Sequence, residues 1–232
     1  MERLLLLGNS RWHWADVGPQ GLHCWHEPPP VAAPAWGALR AWAAVGPLPS
    51  AGPPPPQRRI DLAQVPLQQL PAWLGIDRAL VGWRAWRRQG HGVLVADAGT
   101  ALSLTWIDAA GRFRGGRISA GLGLQLRSLG EGTALLPRLE TPAAGLSDAL
   151  PAWPTATEEA LLQGCVQATA AAISAAWRQL SAPMDPPCRL WLTGGDAPCL
   201  APLLRAGGIE LEWAPDLALE ALAALPAVGL IS

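Results

Sequence analysis

The sequence has no lysine: all seventeen of its Lys and Arg residues are arginine. A Walker-type phosphate loop, a protein-kinase strand lysine and a pyridoxal Schiff base all need that side chain, so all three are excluded. Any phosphate bound here must be held by backbone N–H groups, Ser or Thr hydroxyls, arginine or a metal ion. Charge is scarce as well, at 15% of residues with a net of -1. The chain therefore exerts no general pull on nucleic acid or an anionic membrane. Its cysteines, Cys24, Cys165, Cys188 and Cys199, form no CxxC pair. Reduced thiols in a cytoplasmic protein are the expectation. Long apolar runs are missing too. Leu4 to Leu7, before Gly8, is too short for a signal-peptide core or a membrane span, and no later run reaches spanning length. Neither a nucleic acid nor a membrane is an expected partner.

What is present is a chain of 232 residues and 24.4 kDa, half of it hydrophobic, enough for one large or two small globular domains. Its most informative stretch is Val93 to Pro137. An apolar β-branched run delivers Asp97 onto the turn Ala98-Gly99-Thr100, and the chain returns as a strand over Ala101 to Ile107. Asp108 to Gly111 turns it again into a third strand, Arg112 to Ser119, and Gly121 and Gly123 open a helix. A carboxylate, a hydroxyl and bare glycine amides at one bend can hold a polyphosphate or a cation.

The same unit occurs earlier: a strand over Arg3 to Leu7, the turn Gly8-Asn9-Ser10, and a returning strand over Arg11 to Val17. Two such halves facing across a cleft could clamp a nucleotide. Between them, Pro28 to Pro30 and Pro53 to Pro56 mark surface loops, with Ala35 to Val45 expected as a short helix. Leu74 to Asp77 leads into an arginine-rich helix, about Arg78 to Arg88, closed by Gly90. Thr157 to Leu180 reads as a long helix with Ala160, Leu161, Gly164, Ala168, Ala171 and Ala175 on one packing face. A strand over Arg189 to Thr193 ends in Gly194-Gly195-Asp196, and helices follow over Ala197 to Arg205 and Asp216 to Leu225.

Taken together these motifs resemble the type III pantothenate kinases of the actin/hexokinase/Hsp70 superfamily. The resemblance rests on Gly8-Asn9-Ser10, Val45-Gly46-Pro47, Gly75-Ile76-Asp77-Arg78, Asp97-Ala98-Gly99-Thr100-Ala101, Gly115-Gly116 with Gly121, Thr133 to Pro137, Thr157 with Gly164, and Thr193 to Asp196. It implies an α/β fold of the actin/hexokinase-like (ribonuclease H-like) kind, duplicated, with lobes 1–90 and 91–232 around a nucleotide cleft. It also implies ATP-dependent phosphorylation of pantothenate, the first step of coenzyme A biosynthesis, by a cytoplasmic homodimer.

Roles carry over by position. Asp77 would accept the proton of the substrate hydroxyl, within a pantothenate-binding element made of Gly75, Ile76, Asp77 and Arg78, and Thr157 would contact pantothenate. Leu6, Leu7, Gly8, Asn9, Ser10 and Arg11 would form the first ATP turn, with Mg²⁺, and Thr100 would contact ATP phosphate. Asp97 would hold a potassium or ammonium ion, and Gly194-Gly195-Asp196 would lie near the adenosine. Plainer readings stand beside these: Asp77 and Thr157 as helix N-caps, Asp97 as a turn residue, and Gly194 to Asp196 as a strand-to-helix turn. A kinase for another small alcohol and a non-catalytic regulator on the same scaffold also stand.

Two departures from the family pattern matter. Leu6 stands where the family has an acid that helps position the ATP phosphates and Mg²⁺, and Arg11 at the edge of the turn is a candidate to compensate with positive charge. Tyrosine is absent, where relatives place one near the pantothenate pocket, so Trp73 or another apolar residue is expected on that wall.

Three weaker patterns lead nowhere. His23-Cys24-Trp25-His26 has metal-like spacing but no further ligand nearby. The run Trp83, Arg84, Trp86, Arg87, Arg88 reads as surface arginines over buried indoles. Gly121-Leu122-Gly123 lacks the third glycine of a dinucleotide fingerprint. The histidines, His13, His23, His26 and His91, sit in unrelated sequence contexts, so no Ser-His-Asp arrangement is expected.

Overall fold

In the computed structural model the chain is described at residues 2–32, 34–49, 52–141, 151–182 and 188–231. Its contacts divide it into two units. Met1–Gly90, Ile107–Arg114 and Asp216–Ser232 form the first, and His91–Trp106 with Gly115–Pro215 the second.

The sheet of the first unit contains β1 (Glu2–Leu7), β2 (Trp12–Gly18), β3 (Gly21–Glu27) and β4 (Leu39–Ala44), in the order β3-β2-β1-β4. β1, β2 and β3 form an antiparallel meander, and β4 returns parallel to β1. Side chains alternate between faces along each strand. Leu5, Leu7, Trp12, Trp14 and Trp42 pack together on one face with Leu39. Leu4, Leu6, Ala15, Ala41 and Ala43 are buried on the other. Helices α1 (Ile76–Gln89) and α5 (Leu217–Ala224) pack on each other, and α5 also packs on β1 and β2. Helix α1 ends at Gly90, whose φ of 74° is the left-handed closure that glycine adopts without a Cβ penalty.

The expected helix over Ala35 to Val45 is instead strand β4. Ala and Trp at 41 to 44 are adequate helix formers, but a parallel strand beside β1 is buried on both faces and accepts a continuous apolar run. Strand β3 is built by a two-residue connection, Pro19-Gln20, between paired Gly18 and Gly21.

The second sheet, whose residues Ile107, Phe113 and Arg114 fall in the first unit, repeats the plan. Strands β5 (Val93–Ala98), β6 (Ala101–Ile107), β7 (Phe113–Ala120), β8 (Arg189–Thr193) and β9 (Leu211–Trp213) run β7-β6-β5-β8-β9, with β8 parallel to β5 and β9 parallel to β8. The duplication is thus longer than a strand, a turn and a strand: in each half a meander is followed by a strand parallel to its first. Helices α2 (Leu122–Gly132), α3 (Thr157–Ser181) and α4 (Ala197–Ala206) complete the unit, and Leu94, Leu104, Leu126, Val166 and Ile173 share its core.

Helix α3 buries Cys165, Val166, Thr169, Ala170, Ile173 and Ala176. The small-residue face expected to pack, with Gly164, Ala168, Ala171 and Ala175, is exposed. Val and Ile remove more apolar area from water than Ala or Gly, so the branched residues set the rotation of the helix. Among the described residues α3 is also one helix long and apolar enough to span a bilayer by length and composition. That corrects the expectation that no such run exists, although part of this helix is occupied as a core face.

Candidate active site

The first glycine turn follows directly from β1. Leu6 and Leu7 are 4% and 0% exposed, so their side chains belong to the core. The chain reverses as the Gly8 N–H donates to the Arg11 carbonyl at 3.0 Å, which leaves Asn9 and Ser10 exposed at the tip. The segment Val45-Gly46 sits against this turn, and both of its N–H groups donate to the Leu7 carbonyl, at 2.9 and 3.2 Å. A Cβ at position 46 would overlap the Gly8 carbonyl oxygen. Gly46 is therefore required by close backbone approach, a function its sequence context did not disclose.

Val45 also reaches the other expected element. Its Cγ1 lies 3.8 Å from where a Cβ on Gly75 would sit. One short segment thus brings the glycine turn and the Gly75–Arg78 element together. Alongside them is a cavity of about 720 Å³ whose wall includes Val45, Leu62, Val65, Leu67, Leu74 and Gly75. Trp73 is 75% exposed, so the apolar wall of this cavity is made by leucines and valines rather than by that indole.

Gly75 is the N-cap of α1, and Asp77 lies within the first helical turn. The N-cap reading of Asp77 is corrected accordingly. The Asp77 carboxylate folds back over the helix start, since a Cβ on Gly75 would lie 2.5 Å from Oδ1. Burial pushes the Asp77 carboxyl up from its ordinary value. The Arg78 N–H, the Arg78 charge and its own N–H draw it down by less. Arg78 itself is 7% exposed and lies over the Phe113 ring at 5.8 Å, with burial lowering its affinity for a proton.

Gly75 has φ -58° and ψ 134°, which alanine adopts freely. Gly75→Ala should therefore cost little stability yet displace the Asp77 carboxylate. The expected result is a kcat reduced by about a hundredfold at nearly unchanged Tm, if that carboxylate acts as the base. Steady-state kinetics beside a melting curve checks it.

The second glycine turn, in the second unit, follows β5. Asp97 is half-buried at the strand end, in register with Thr193 of β8, and Thr100 is exposed. Two loops seat this turn. The Gly121 N–H donates to the Thr100 carbonyl at 3.1 Å, and a Cβ at 121 would overlap the Gly99 carbonyl oxygen. From the other side, the Asp196 N–H donates to the Ala98 carbonyl at 2.8 Å, and its carboxylate accepts the Leu122 N–H at 3.0 Å. Asp196 thus ties the Gly194-Gly195 loop to the start of α2, and burial pushes its carboxyl up. Thr157 opens α3 as its first helical residue and is exposed. Ala156 is the N-cap, so the capping reading of Thr157 is also corrected.

The other candidates resolve simply. Among the described residues no group of three His, Cys, Asp or Glu could hold a metal ion, and His23 and His26 lie opposite different residues of β2, Asp16 and His13. Trp83 is buried, Arg87 lies over its ring, and Arg88 pairs with Glu220 at 3.0 Å. Arg84 departs from the expected surface placement: it is 9% exposed, 3.6 Å from Glu220. All four cysteines are free thiols, and burial pushes Cys24 and Cys188 up to about 12. The histidines do not all sit apart, because His13 and His26 meet at 2.9 Å.

Comparison with known proteins identifies the family and the fold. The family model described as type III pantothenate kinase matches residues 59–179. A type III pantothenate kinase of Synechococcus sp. (strain JA-3-3Ab) is 38% identical, covering 94% of this chain and 89% of its own. One from Synechococcus elongatus is 37% identical over 88% of each. Among solved structures, a protein described as a Baf family transcriptional activator from Campylobacter jejuni superposes with a TM-score of 0.60 at 17% identity, over 96% of both chains. One described as a 2-dehydro-3-deoxygalactonokinase from Sinorhizobium meliloti gives 0.57 at 16%, over 97% of both. These structural likenesses establish the fold, a duplicated α/β architecture of the actin/hexokinase-like kind.

Proposed function

The chain belongs to the type III pantothenate kinase family, and from that premise we infer that it transfers the γ-phosphoryl group of ATP to pantothenate, the first step of coenzyme A biosynthesis. The observation that carries the residue assignments is the shared seat provided by Val45-Gly46. It joins an exposed glycine turn, suited to phosphate, to the Gly75–Arg78 element with its half-buried carboxylate, next to a cavity that Gly75 and Ile76 help to line along with Arg59 and Asp61. Asp77 is the base: it takes the proton of the primary hydroxyl as that oxygen attacks the γ-phosphorus and ADP departs. Gly75, Ile76 and Arg78 bind pantothenate, with Arg78 offering its fork of N–H donors to the substrate carboxylate. Thr157 is a further pantothenate contact. Gly8, Asn9 and Ser10 hold ATP through backbone and side-chain groups of the first turn, and Thr100 does so from the second. Leu6 and Leu7 can contribute only backbone, given their burial.

The donor set at the first turn fits a nucleotide that brings its own hydrated Mg²⁺ better than a metal ligated by protein. Leu6 has no side-chain oxygen, and no described cluster supplies three anionic or imidazole ligands. Bound there with ATP, Mg²⁺ would offset charge on the phosphates. Asp97 is the residue that would hold a monovalent cation, potassium or ammonium. A cytoplasmic homodimer is the assembly proposed, with the exposed small-residue face of α3 as its candidate surface.

The direct test is a coupled ADP-release assay with pantothenate, with and without potassium. ADP release that depends on pantothenate and rises with potassium supports both the reaction and the cation. Release indifferent to potassium removes the cation from the account. Arg11, exposed at the edge of the first turn, supplies positive charge where Leu6 has none to organise. Arg11→Ala should therefore raise the KM for ATP several-fold with the KM for pantothenate unchanged, and an unaltered ATP KM removes Arg11 from that role.

A further inference from the structure

Leu6 lies in a row that runs across the sheet of the first unit. It is in register with His13 on β2, and His13 with His26 on β3. Cross-strand partners project from the same face, so the two imidazoles share the face of Leu6. They also touch: His13 Nδ1 and His26 Nδ1 are 2.9 Å apart, and His26 Nε2 is 3.3 Å from Oδ1 of Asp216 at the start of α5. The far end of His13 meets the glycine turn, with Nε2 3.1 Å from where a Cβ on Gly8 would sit.

With both rings neutral, this chain of contacts orders the tautomers. Asp216 is an acceptor, so His26 donates through Nε2–H and presents a bare Nδ1. His13 must then donate through Nδ1–H and present a bare Nε2. The charged and titratable groups that face His13 are His26 from β3, Arg11 from its own strand edge and Asp216 from α5, and the Cys24 thiol lies beside Asp216. Burial above all, with Arg11 nearby, pushes His13 down to about 4 against the upward pull of Asp216, which is consistent with a neutral ring.

A bare nitrogen at a phosphate turn has no use for a phosphate oxygen, which is itself an acceptor. It can accept from a water on the metal ion that accompanies ATP, a task a carboxylate at position 6 could perform and a leucine cannot. We propose that His13, oriented by His26 and Asp216, accepts a hydrogen bond from a water on the ATP-bound divalent cation and so takes over at the first turn from the acid that Leu6 replaces. The inference rests on the ATP reading above.

Binding of the non-hydrolysable analogue AMPPNP, measured calorimetrically with Mg²⁺ and again with EDTA, tests it without turnover. His13→Ala should weaken Mg²⁺-AMPPNP by roughly tenfold, the worth of one charge-assisted hydrogen bond, and leave metal-free AMPPNP unchanged. His13→Gln, which keeps an acceptor, should recover most of the loss. In the wild-type protein, Mn²⁺ with AMPPNP should broaden the His13 ring resonances far more than those of His91. Equal weakening with and without metal, or a sharp His13 signal beside Mn²⁺, overturns the proposal while leaving the ATP reading intact. Wild-type protein that binds AMPPNP under neither condition overturns both.

Discussion

Asp77→Asn should lower kcat by about a thousandfold, the span general-base catalysis commands, with the KM values for ATP and pantothenate changed only a few-fold. Asparagine keeps the shape and can still accept N–H groups at the start of α1, but it cannot take a proton. The same substitution should raise Tm at neutral pH. Burial holds the Asp77 carboxyl above its unfolded value. Between the unfolded and the folded pKa the native state therefore binds more protons than the unfolded one, and stability falls as pH rises through that window. Above it, the penalty for a desolvated carboxylate is complete, and the uncharged amide escapes it. Lost activity with gained stability is the signature of a group kept for chemistry. Kinetics and melting curves at pH 7 on one preparation measure both. A mutant of full activity would leave Asp77 a structural first-turn carboxylate. The wild-type pH profile follows the same sign: kcat/KM should fall on the acid side at a pH above that of an ordinary exposed carboxylate.

Gly46→Ala should have the second largest effect, through a residue that need not touch any ligand. Its Cβ would overlap the Gly8 carbonyl oxygen, and backbone cannot swing away as a side chain can. The turn must shift, at a cost of about 1–3 kcal/mol. The Leu7 carbonyl, now bonded to the N–H groups of Val45 and Gly46, shifts with it. The KM for ATP should rise by at least roughly tenfold, since amides proposed to bind phosphate lose their aim with small displacements. Gly132→Ala is the control. Position 132 is exposed at the end of α2 with nothing within 4 Å of an added Cβ, so alanine there should be neutral or stabilise by about 0.5–1 kcal/mol. Equal ATP binding by Gly46→Ala and wild type would show that the seat of the first turn is not demanding.

Much of this arrangement was legible in the sequence. The glycine turns, the β-branched run into Asp97 and the small residues after β8 are local signals that act over a few residues, and the elements around them fall where those signals put them. What was illegible depended on partners distant in sequence. Leu39 to Ala44 has no strand signature of its own and becomes a strand because β1 lies beside it. The role of Gly46 exists only where residue 8 approaches it, and Asp196 becomes a helix tie only where Leu122 is near. The His13–His26 pair was the most recoverable miss. Reading Pro19-Gln20 as a two-residue hairpin loop sets every pair to sum to 39, which puts 13 opposite 26. The rotation of α3 was misjudged by following small residues rather than the few branched ones that bury most area.

The most direct measurement is product formation: wild-type protein, ATP, Mg²⁺ and pantothenate, followed by mass spectrometry of the acceptor together with ADP release. A phosphorylated pantothenate formed one-for-one with ADP, and no ADP beyond background without the acceptor, is the predicted result. Tight ATP binding with no phosphorylated pantothenate, or turnover of a different alcohol in its place, would contradict the account and turn the Leu6 substitution into the mark of a regulator or of another kinase.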